Sequence, residues 1–333
     1  MPVLRTHKST FQTTTSILTP ANHWDHLLAR FGVKRAWHRV EPGLYNLGNP
    51  TPESPVFVTG NYTLSFDALR TALSGVDASI LVLDTFGVNV WCAAGKGTFG
   101  TKELIHRVQD TKLGDVVSHR ILILPQLGAP GVAAHAVKKA TGFRVEYGPI
   151  RADDLPEYMK TRKATSEMRT ARFPLHDRVV LIPVELVGAF LPMLGAILAG
   201  YLLGGWMMAG ATATAILAGT VLFPILLPYL PSREFSFKGF ILGALVLLPF
   251  LFLHFNLNKT INWQSVLGIL GYLLVFPAVT AFLSLNFTGC TPFASKTGVR
   301  FEMNKYIPII VWSFGIGIVL TIVLRILNLT GVV

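Results

Sequence analysis

The most informative stretch of the chain is Asn89-Val90-Trp91-Cys92-Ala93-Ala94-Gly95-Lys96-Gly97-Thr98-Phe99-Gly100. It follows an apolar run at residues 79–84 that is typical of a buried strand. Asn89 is a favourable N-cap, the two alanines favour helix, and the glycines after them end it. The stretch therefore predicts a short helix just beyond the carboxyl end of a strand, with Cys92 in its first turn.

Cys92 is one of two cysteines in the chain. At the start of a helix a thiol lies among unpaired N–H groups at the positive end of the helix dipole, which favours the thiolate. Lys96 lies four residues further along the same helical face and favours the thiolate as well. Most cytosolic cysteines are small buried apolar residues, but this position favours a functional thiol.

The composition predicts a soluble basic domain followed by a membrane domain. The 333 residues are 51% hydrophobic and 14% charged, which is too apolar for an ordinary soluble enzyme. Of the 29 Lys and Arg residues, 22 lie in residues 1–178, as do 15 of the 18 Asp and Glu residues. The net charge of +11 is not accompanied by a nucleic-acid-binding motif, so we expect no nucleic acid partner.

Residues 51–160 alternate between apolar strands and helices, which predicts an α/β domain with a Rossmann-like parallel sheet. Ligands of such sheets bind beyond the carboxyl ends of the strands. The loops there are rich in glycine and small polar residues, as close approach to a large flat cofactor requires. We expect the cofactor to contact Thr59, Gly60, Asn61, Asp84, Thr85, Pro125, Gln126, Leu127, Gly128, Gly148 and Pro149.

Two other patterns in this half favour no further site. Gly95, Gly97 and Gly100 match the dinucleotide-binding fingerprint as a string, but the first glycine follows a helix where it should follow a strand. The histidines lack the spacing of a metal site, and two cysteines cannot hold an iron–sulfur cluster. We therefore expect neither a nucleotide nor an iron–sulfur cluster in this chain.

The second half contains five apolar stretches, each able to cross a membrane with modest tilt or help from its flanks. They predict an all-α domain of five transmembrane helices over residues 179–333, with spans at 179–203, 211–230, 240–255, 266–287 and 306–327. Residues 161–178 then form a basic juxtamembrane linker, and residues 1–50 an N-terminal extension. Glycines in the spans predict close helix packing at Gly200, Gly204, Gly205, Gly315 and Gly317.

The distribution of basic residues predicts the orientation in the membrane. Lys and Arg are concentrated in the linker and in the loops on the same side, including a long polar loop predicted at residues 286–305, whereas the opposite loops hold only Lys259. We therefore expect a multi-pass protein of the cytoplasmic membrane, with the α/β domain inside and the C-terminus outside. The basic linker is expected to lie near membrane lipid.

The segment at residues 89–96 resembles the signature of the HgcA family, the corrinoid protein of bacterial mercury methylation. Residues 58–62, 122–126 and 147–149 resemble corrinoid-domain loops of that family, whose domain is similar to the large subunit of the corrinoid iron–sulfur protein. The resemblance implies that residues 89–96 are a cap helix and that Cys92 is the lower axial ligand of the cobalt. It also implies corrinoid contacts from the rest of the cap helix: Asn89, Val90, Trp91, Ala93, Ala94, Gly95 and Lys96.

The same resemblance implies a corrinoid-dependent methyltransferase that uses cobalamin or a related corrinoid. Its reaction would pass a methyl group from methylcobalt(III) to Hg(II), forming methylmercury. An HgcB-type ferredoxin with two [4Fe–4S] clusters and a methyl-donor protein or methyl-folate system are the implied partners. A thiolate trans to the methyl group would donate electron density to it, which suits an electrophilic acceptor such as the soft Hg(II) ion.

Two alternative functions remain open. One keeps the corrinoid and changes the methyl acceptor to a thiol or a metalloid. The other is a membrane transporter or receptor whose soluble domain senses a ligand, and this function predicts polar residues along the spans and no requirement for Cys92.

Overall fold

The computed structural model describes residues 11–258 and 262–330. The chain divides into two compact units, one ending at Ala171 and the other beginning at Arg172. The first unit is a mixed α/β domain, and the second is built from helices. Lys259, which contributes to the predicted orientation, lies outside the described residues.

A six-stranded sheet forms the centre of the first unit, in the order β1-β2-β4-β3-β5-β6. The strands are β1 Gln12–Thr14, β2 Gly43–Leu47, β3 Val56–Gly60, β4 Ala78–Leu83, β5 Ile121–Leu124 and β6 Arg144–Tyr147. The pairs β3–β4, β3–β5 and β5–β6 are parallel, as predicted. The sheet as a whole is mixed, because β2 runs antiparallel to β4. Both β1 and β2 come from the region that the sequence analysis treated as an extension.

Helices cover both faces of the sheet. They are α1 Pro20–Arg30, α2 Thr63–Ala72, α3 Val90–Lys96, α4 Thr101–Asp110, α5 Leu113–Val116, α6 Ala134–Thr141 and α7 Leu155–Thr161. Apolar residues of α3, α4 and α6 pack on one face, and those of α2 and α7 pack on the other. Every residue of β4 is buried, as expected of a central strand with both faces covered.

The residues before β2 are attached to α2 through a buried ion pair. Arg70 Nε lies 2.6 Å from Asp67 Oδ1, and Arg70 Nη1 donates to the Ile17 carbonyl at 2.9 Å. His26 Nε2 lies 2.7 Å from the other carboxylate oxygen of Asp67. These contacts fix α1 beside the sheet.

The second unit contains helices α8 Leu175–Val179, α9 Ile182–Leu217, α10 Phe223–Leu226, α11 Phe235–Asn258, α12 Trp263–Asn286 and α13 Lys296–Thr330. Among the described residues, four helical segments are long and apolar enough to cross a membrane. They are Leu175–Leu226, Phe235–Phe255, Trp263–Cys290 and Thr297–Thr330.

The predicted number of five spans is not confirmed, and the difference arises at Gly204 and Gly205. The first segment has 52 residues and contains the first predicted span and most of the second. Gly204 and Gly205 have non-helical backbone angles, and a Cβ atom on Gly200 would lie 2.8 Å from Thr212 Oγ1. A straight helix would separate these two residues by about 18 Å, so the chain turns back on itself at the glycine pair.

The long polar loop predicted at residues 286–305 is wrong, because much of it is helical. A 3₁₀ turn covers Phe287–Cys290, and α13 begins at Lys296. The polar residues in this part of α13 have partners within the unit: Lys305 Nζ lies 2.7 Å from Glu234 Oε1, and the Glu302 carboxylate accepts from the Ser236 N–H.

Glycine packing in the second unit is only partly as predicted. A Cβ atom on Gly317 would lie 2.7 Å from Val275 Cγ2, which agrees with a packing role. A Cβ atom on Gly205 or on Gly315 would meet no atom within 4 Å, so those two predicted packing sites are wrong. Helix α11 lies close to α12 at Gly239, where a Cβ atom would lie 2.6 Å from the Ala281 Cα atom.

We predict that Gly239→Ala destabilises the second unit by about 1–3 kcal/mol, because the added methyl group must push two helix backbones apart. The measurement is the free energy of unfolding of the full chain in mixed micelles. The matched control is Gly195→Ala, since a Cβ atom there meets no atom within 4 Å. Equal losses for the two variants would contradict close packing at Gly239.

Candidate functional site

The four predicted loops meet at one edge of the sheet. Because β3, β4, β5 and β6 are mutually parallel, their last residues Gly60, Leu83, Leu124 and Tyr147 lie at the same edge. The helix that carries Cys92 begins there as well, directly after the loop that follows β4. The structure therefore brings the predicted loops and α3 together.

Helix α3 has a buried face and an outward face. Val90, Ala93 and Ala94 are part of the core beneath it. On the other side, Trp91 and Cys92 are half-buried, whereas Gly95 and Lys96 are exposed. A Cβ atom on Gly95 would meet no atom within 4 Å, so open space lies along the helix beside Cys92.

Both ends of α3 have the predicted caps. Asn89 Oδ1 accepts from the Cys92 N–H at 2.9 Å, which satisfies one of the free donors of the first turn. Gly97 has a φ of 86°, in the left-handed region that glycine tolerates best, and ends the helix. The thiol is thus placed in the first turn of a helix of seven residues.

Glycines in the loop after β5 allow α3 to lie close to it. A Cβ atom on Gly131 would lie 3.1 Å from the Ala94 Cα atom and 2.1 Å from the Phe99 carbonyl oxygen. A Cβ atom on Gly128 would lie 2.5 Å from Cε1 of the fully buried Phe99 ring. Gly128, predicted as a cofactor contact, therefore serves close packing beside the cap helix.

The buried Asn61 amide organises the loop between β4 and α3. Its Oδ1 accepts from the N–H groups of Thr85 and Gly87, both at 3.0 Å, and lies 2.9 Å from the Thr85 hydroxyl. Its Nδ2 donates to Asp84 Oδ1 at 3.0 Å. One side chain at the end of β3 thus fixes the loop that leads into Asn89.

Burial separates the predicted contacts into two groups. Seven of them are buried and hold the loops from within: Thr59, Gly60, Asn61, Thr85, Gly128, Gly148 and Pro149. Four are half-buried at the surface of the edge, where a ligand could reach them: Asp84, Pro125, Gln126 and Leu127. The accessible surface therefore consists of this second group and the outward face of α3.

Two residues of this edge are not among the predicted contacts. Phe86 is 62% exposed and has a φ of 56°, which is rare for an aromatic residue, so an apolar ring is presented beside the edge. In the sequence, Phe86 stands out only as a single aromatic residue in a loop of glycine and small polar residues. Glu103 on α4 accepts from the Asp84 N–H at 2.9 Å and had no local signal.

The donor set at this edge fits a metal held by a macrocycle better than a metal held by protein alone. The described residues contain no group of three or more His, Cys, Asp or Glu side chains that could hold a metal ion. A single half-buried thiol beside open space offers one soft axial ligand, which is what a cobalt ion already surrounded by ring nitrogens lacks.

This part of the chain is similar in sequence to a known protein family. Residues 27–159 match the family model CdhD, the CO dehydrogenase/acetyl-CoA synthase delta subunit. They contain α3 and all four strand-end loops. This match supports the predicted resemblance of residues 27–159 to an HgcA-like corrinoid protein.

Alignments with individual relatives also cover only part of the chain. The acetyl-CoA decarbonylase/synthase complex subunit gamma is 35% identical over 123 residues in Methanopyrus kandleri and 39% over 123 residues in Methanocaldococcus jannaschii. Each alignment covers 36% of this chain, and 26% or 25% of the relative. The corrinoid/iron-sulfur protein large subunit of Moorella thermoacetica is 26% identical over 38% of this chain and 28% of its own length. The chain thus spans about a quarter of the length of these relatives.

We predict that Asn89→Ala destabilises α3 by about 0.5–2 kcal/mol, because it removes the acceptor of the Cys92 N–H. The measurement is amide hydrogen exchange, which should become faster in residues 92–97 and stay unchanged in α6. Asn89→Ser is the matched control, since serine is also a good N-cap. Unchanged exchange in residues 92–97 would show that the cap contributes nothing to α3.

Proposed function

We propose that this protein is a corrinoid-dependent methyltransferase that passes a methyl group to Hg(II) and forms methylmercury. The observation that supports this most is the position of Cys92: half-buried, in the first turn of a capped helix beside the carboxyl edge of the sheet, in a chain similar in sequence to the corrinoid/iron-sulfur protein large subunit. In this proposal Cys92 is the lower axial ligand of cobalt in cobalamin or a related corrinoid.

A methylated corrinoid, when bound, would supply the methyl group. Cys92 would bind through its sulfur, and a thiolate there would donate electron density along the axis of the metal. Lys96 lies four residues further along α3 and is exposed beside the outward face of the helix. Asp84, Gln126 and Leu127 would contact the edge of the ring.

The proposal includes two partners. This chain has two cysteines, whereas a [4Fe–4S] cluster is normally held by four, so electrons that reduce the cobalt must come from another protein. We propose a ferredoxin of the HgcB type with two such clusters, together with a methyl-donor protein or methyl-folate system. The similar gamma subunits are named as parts of a complex, which agrees with a need for partners.

We also propose that the two arms of the first helical segment cross the membrane separately, which gives five spans. A straight helix of 52 residues would be about 78 Å long, whereas the hydrocarbon core of a membrane is about 30 Å thick. The reversal at Gly204 and Gly205 divides the segment into two arms of suitable length. With five spans, the α/β unit lies in the cytoplasm and the C-terminus outside, consistent with the basic residues before α8.

We predict that Cys92→Ala changes the absorption spectrum of the protein reconstituted with cobalamin and abolishes methylmercury formation. The reason is that alanine provides no sulfur to hold the cobalt. The measurements are the ultraviolet–visible spectrum of the purified full chain and a methylation assay with Hg(II).

Cys290→Ala is the matched control, because Cys290 is the second cysteine and lies in the helical unit. It should retain both the spectrum and the activity of the wild type. A Cys92→Ala spectrum identical to that of the wild type would refute cobalt ligation by this sulfur.

We predict that the protein methylates Hg(II) in preference to a free thiol, because an electron-donating axial ligand favours transfer to an electrophile. The measurement is product analysis after separate incubations with Hg(II), arsenite and a free thiol. Faster formation of a thioether would favour the methyl carrier with a thiol acceptor, and faster methylation of arsenite would favour a metalloid acceptor.

One observation favours a second candidate, a membrane transporter or receptor. The helical unit has a cavity of about 490 Å³ with polar lining residues that include His254, Asn262, Gln264 and Arg325. The sequence analysis expected such residues in a transporter. If this is the function, Cys92→Ala should leave the activity of the protein intact.

A further inference from the structure

A basic cleft lies on one face of the sheet at its β6 edge. It has a volume of about 870 Å³. Its lining includes the cationic side chains of Arg144, Arg162, Lys163 and Arg169 and the rings of Tyr147 and Tyr158. We name these six residues the β6 cleft. The sequence analysis assigned three of its cations to a linker near the membrane.

The lining of the β6 cleft contains more positive than negative side chains. Glu146 is the one carboxylate in its lining, and it pairs with Arg144. Among the described residues, Arg162 and Lys163 form no ion pair, and the Arg169 guanidinium has a neutral partner. Like charges that converge on one concave surface repel one another and attract an anion.

The environment of Tyr158 shows that these charges converge. Tyr158 is buried, and burial raises the pKa of its hydroxyl; Glu146 raises it further, while Arg162, Arg169 and Arg144 lower it. Three guanidinium groups, one from β6 and two from the residues at and after the end of α7, therefore act on one point. Planar guanidinium groups suit phosphate oxygens, because they donate two parallel hydrogen bonds.

The β6 cleft borders the candidate corrinoid site. Arg169 Nη1 donates to Gln126 Oε1 at 2.6 Å, and Gln126 is one of the predicted contacts in the loop after β5. Tyr147 is the last residue of β6, directly before Gly148 and Pro149. A ligand at the edge of the sheet could therefore extend a side group into the cleft.

We propose that the β6 cleft binds a phosphodiester, and that its source is the nucleotide tail of a corrinoid bound beside Cys92. This proposal rests on the proposed function for the identity of the ligand. If Cys92 occupies the lower face of the cobalt, the tail base is displaced from the metal, and its phosphodiester needs another site. A cleft of this volume, lined by three arginines and one lysine against a single carboxylate, supplies one. The same chemistry would also accept the headgroup of an anionic phospholipid.

The test is equilibrium dialysis of the full chain in detergent micelles against cobalamin and against cobinamide, which lacks the nucleotide tail. We expect Arg162→Gln to raise the Kd for cobalamin about tenfold and to leave the Kd for cobinamide unchanged. Arg169→Gln should raise the Kd for cobalamin about tenfold and the Kd for cobinamide much less, because Arg169 also holds Gln126. Lys139→Gln is the matched control, because it removes one exposed positive charge of the same unit outside the cleft. Retained cobinamide binding also shows that each variant is folded.

A second titration separates the two sources of the phosphodiester, with dihexanoyl-phosphatidylglycerol as the probe. If this lipid binds the wild type and loses affinity in both arginine variants while cobalamin does not, the headgroup is the source and the corrinoid-tail assignment is overturned. If neither probe depends on Arg162 and Arg169, or if cobinamide weakens equally, the phosphodiester site itself is overturned. A wild type that binds neither corrinoid refutes the proposed function, whereas the lipid titration still tests the cleft.

Discussion

The outward position of Cys92 depends on how the opposite side of its helix is packed. A helix of seven residues is too short to be stable by its own hydrogen bonds. Ala93 and Ala94 are small enough to bring α3 against the sheet and the loop after β5, where Gly131 has no side chain to keep it away. Because two adjacent alanines face inward, the cysteine before them must face outward. Packing thus determines the direction of the thiol, and the Asn89 cap determines where the helix begins.

The same edge shows that residues predicted to contact a ligand can serve a different purpose. Asn61 and Thr85 have the small polar side chains expected around a cofactor, yet they are 1% and 0% exposed. The Asn61 amide uses both of its ends on the backbone and side chains of the loop after β4. A loop rich in polar groups can be closely packed only if those groups have internal partners. The accessible contacts therefore come from neighbours such as Asp84 and Gln126.

Local sequence patterns were sufficient to predict the central strands, the helices between them and both caps of α3. They act within a few residues, through apolar periodicity and through cap chemistry at Asn89 and Gly97. The antiparallel β2 could not be predicted in this way, because its pairing with β4 depends on residues more than thirty positions away. The β6 cleft was missed for the same reason, since Arg144 and Arg169 meet only after the chain has folded. In the helical unit, the chain reverses at the glycine pair in α9. The sequence analysis assigned this pair to helix packing, because glycines in an apolar run occur both at turns and at packing sites.

An accessible thiol and a basic cleft on the same sheet would hold a large flat ligand at two separate points. A single bond from Cys92 would fix the distance of a bound ring from the protein but would leave the ring free to rotate about that bond. A second point of attachment at the periphery removes this freedom, because rotation would pull the anionic group away from its arginines. Gln126 lies between the two places, in a half-buried loop position and bonded to Arg169. In the proposed methyl transfer, attachment at two points would keep the bound ring in a fixed orientation toward the incoming acceptor.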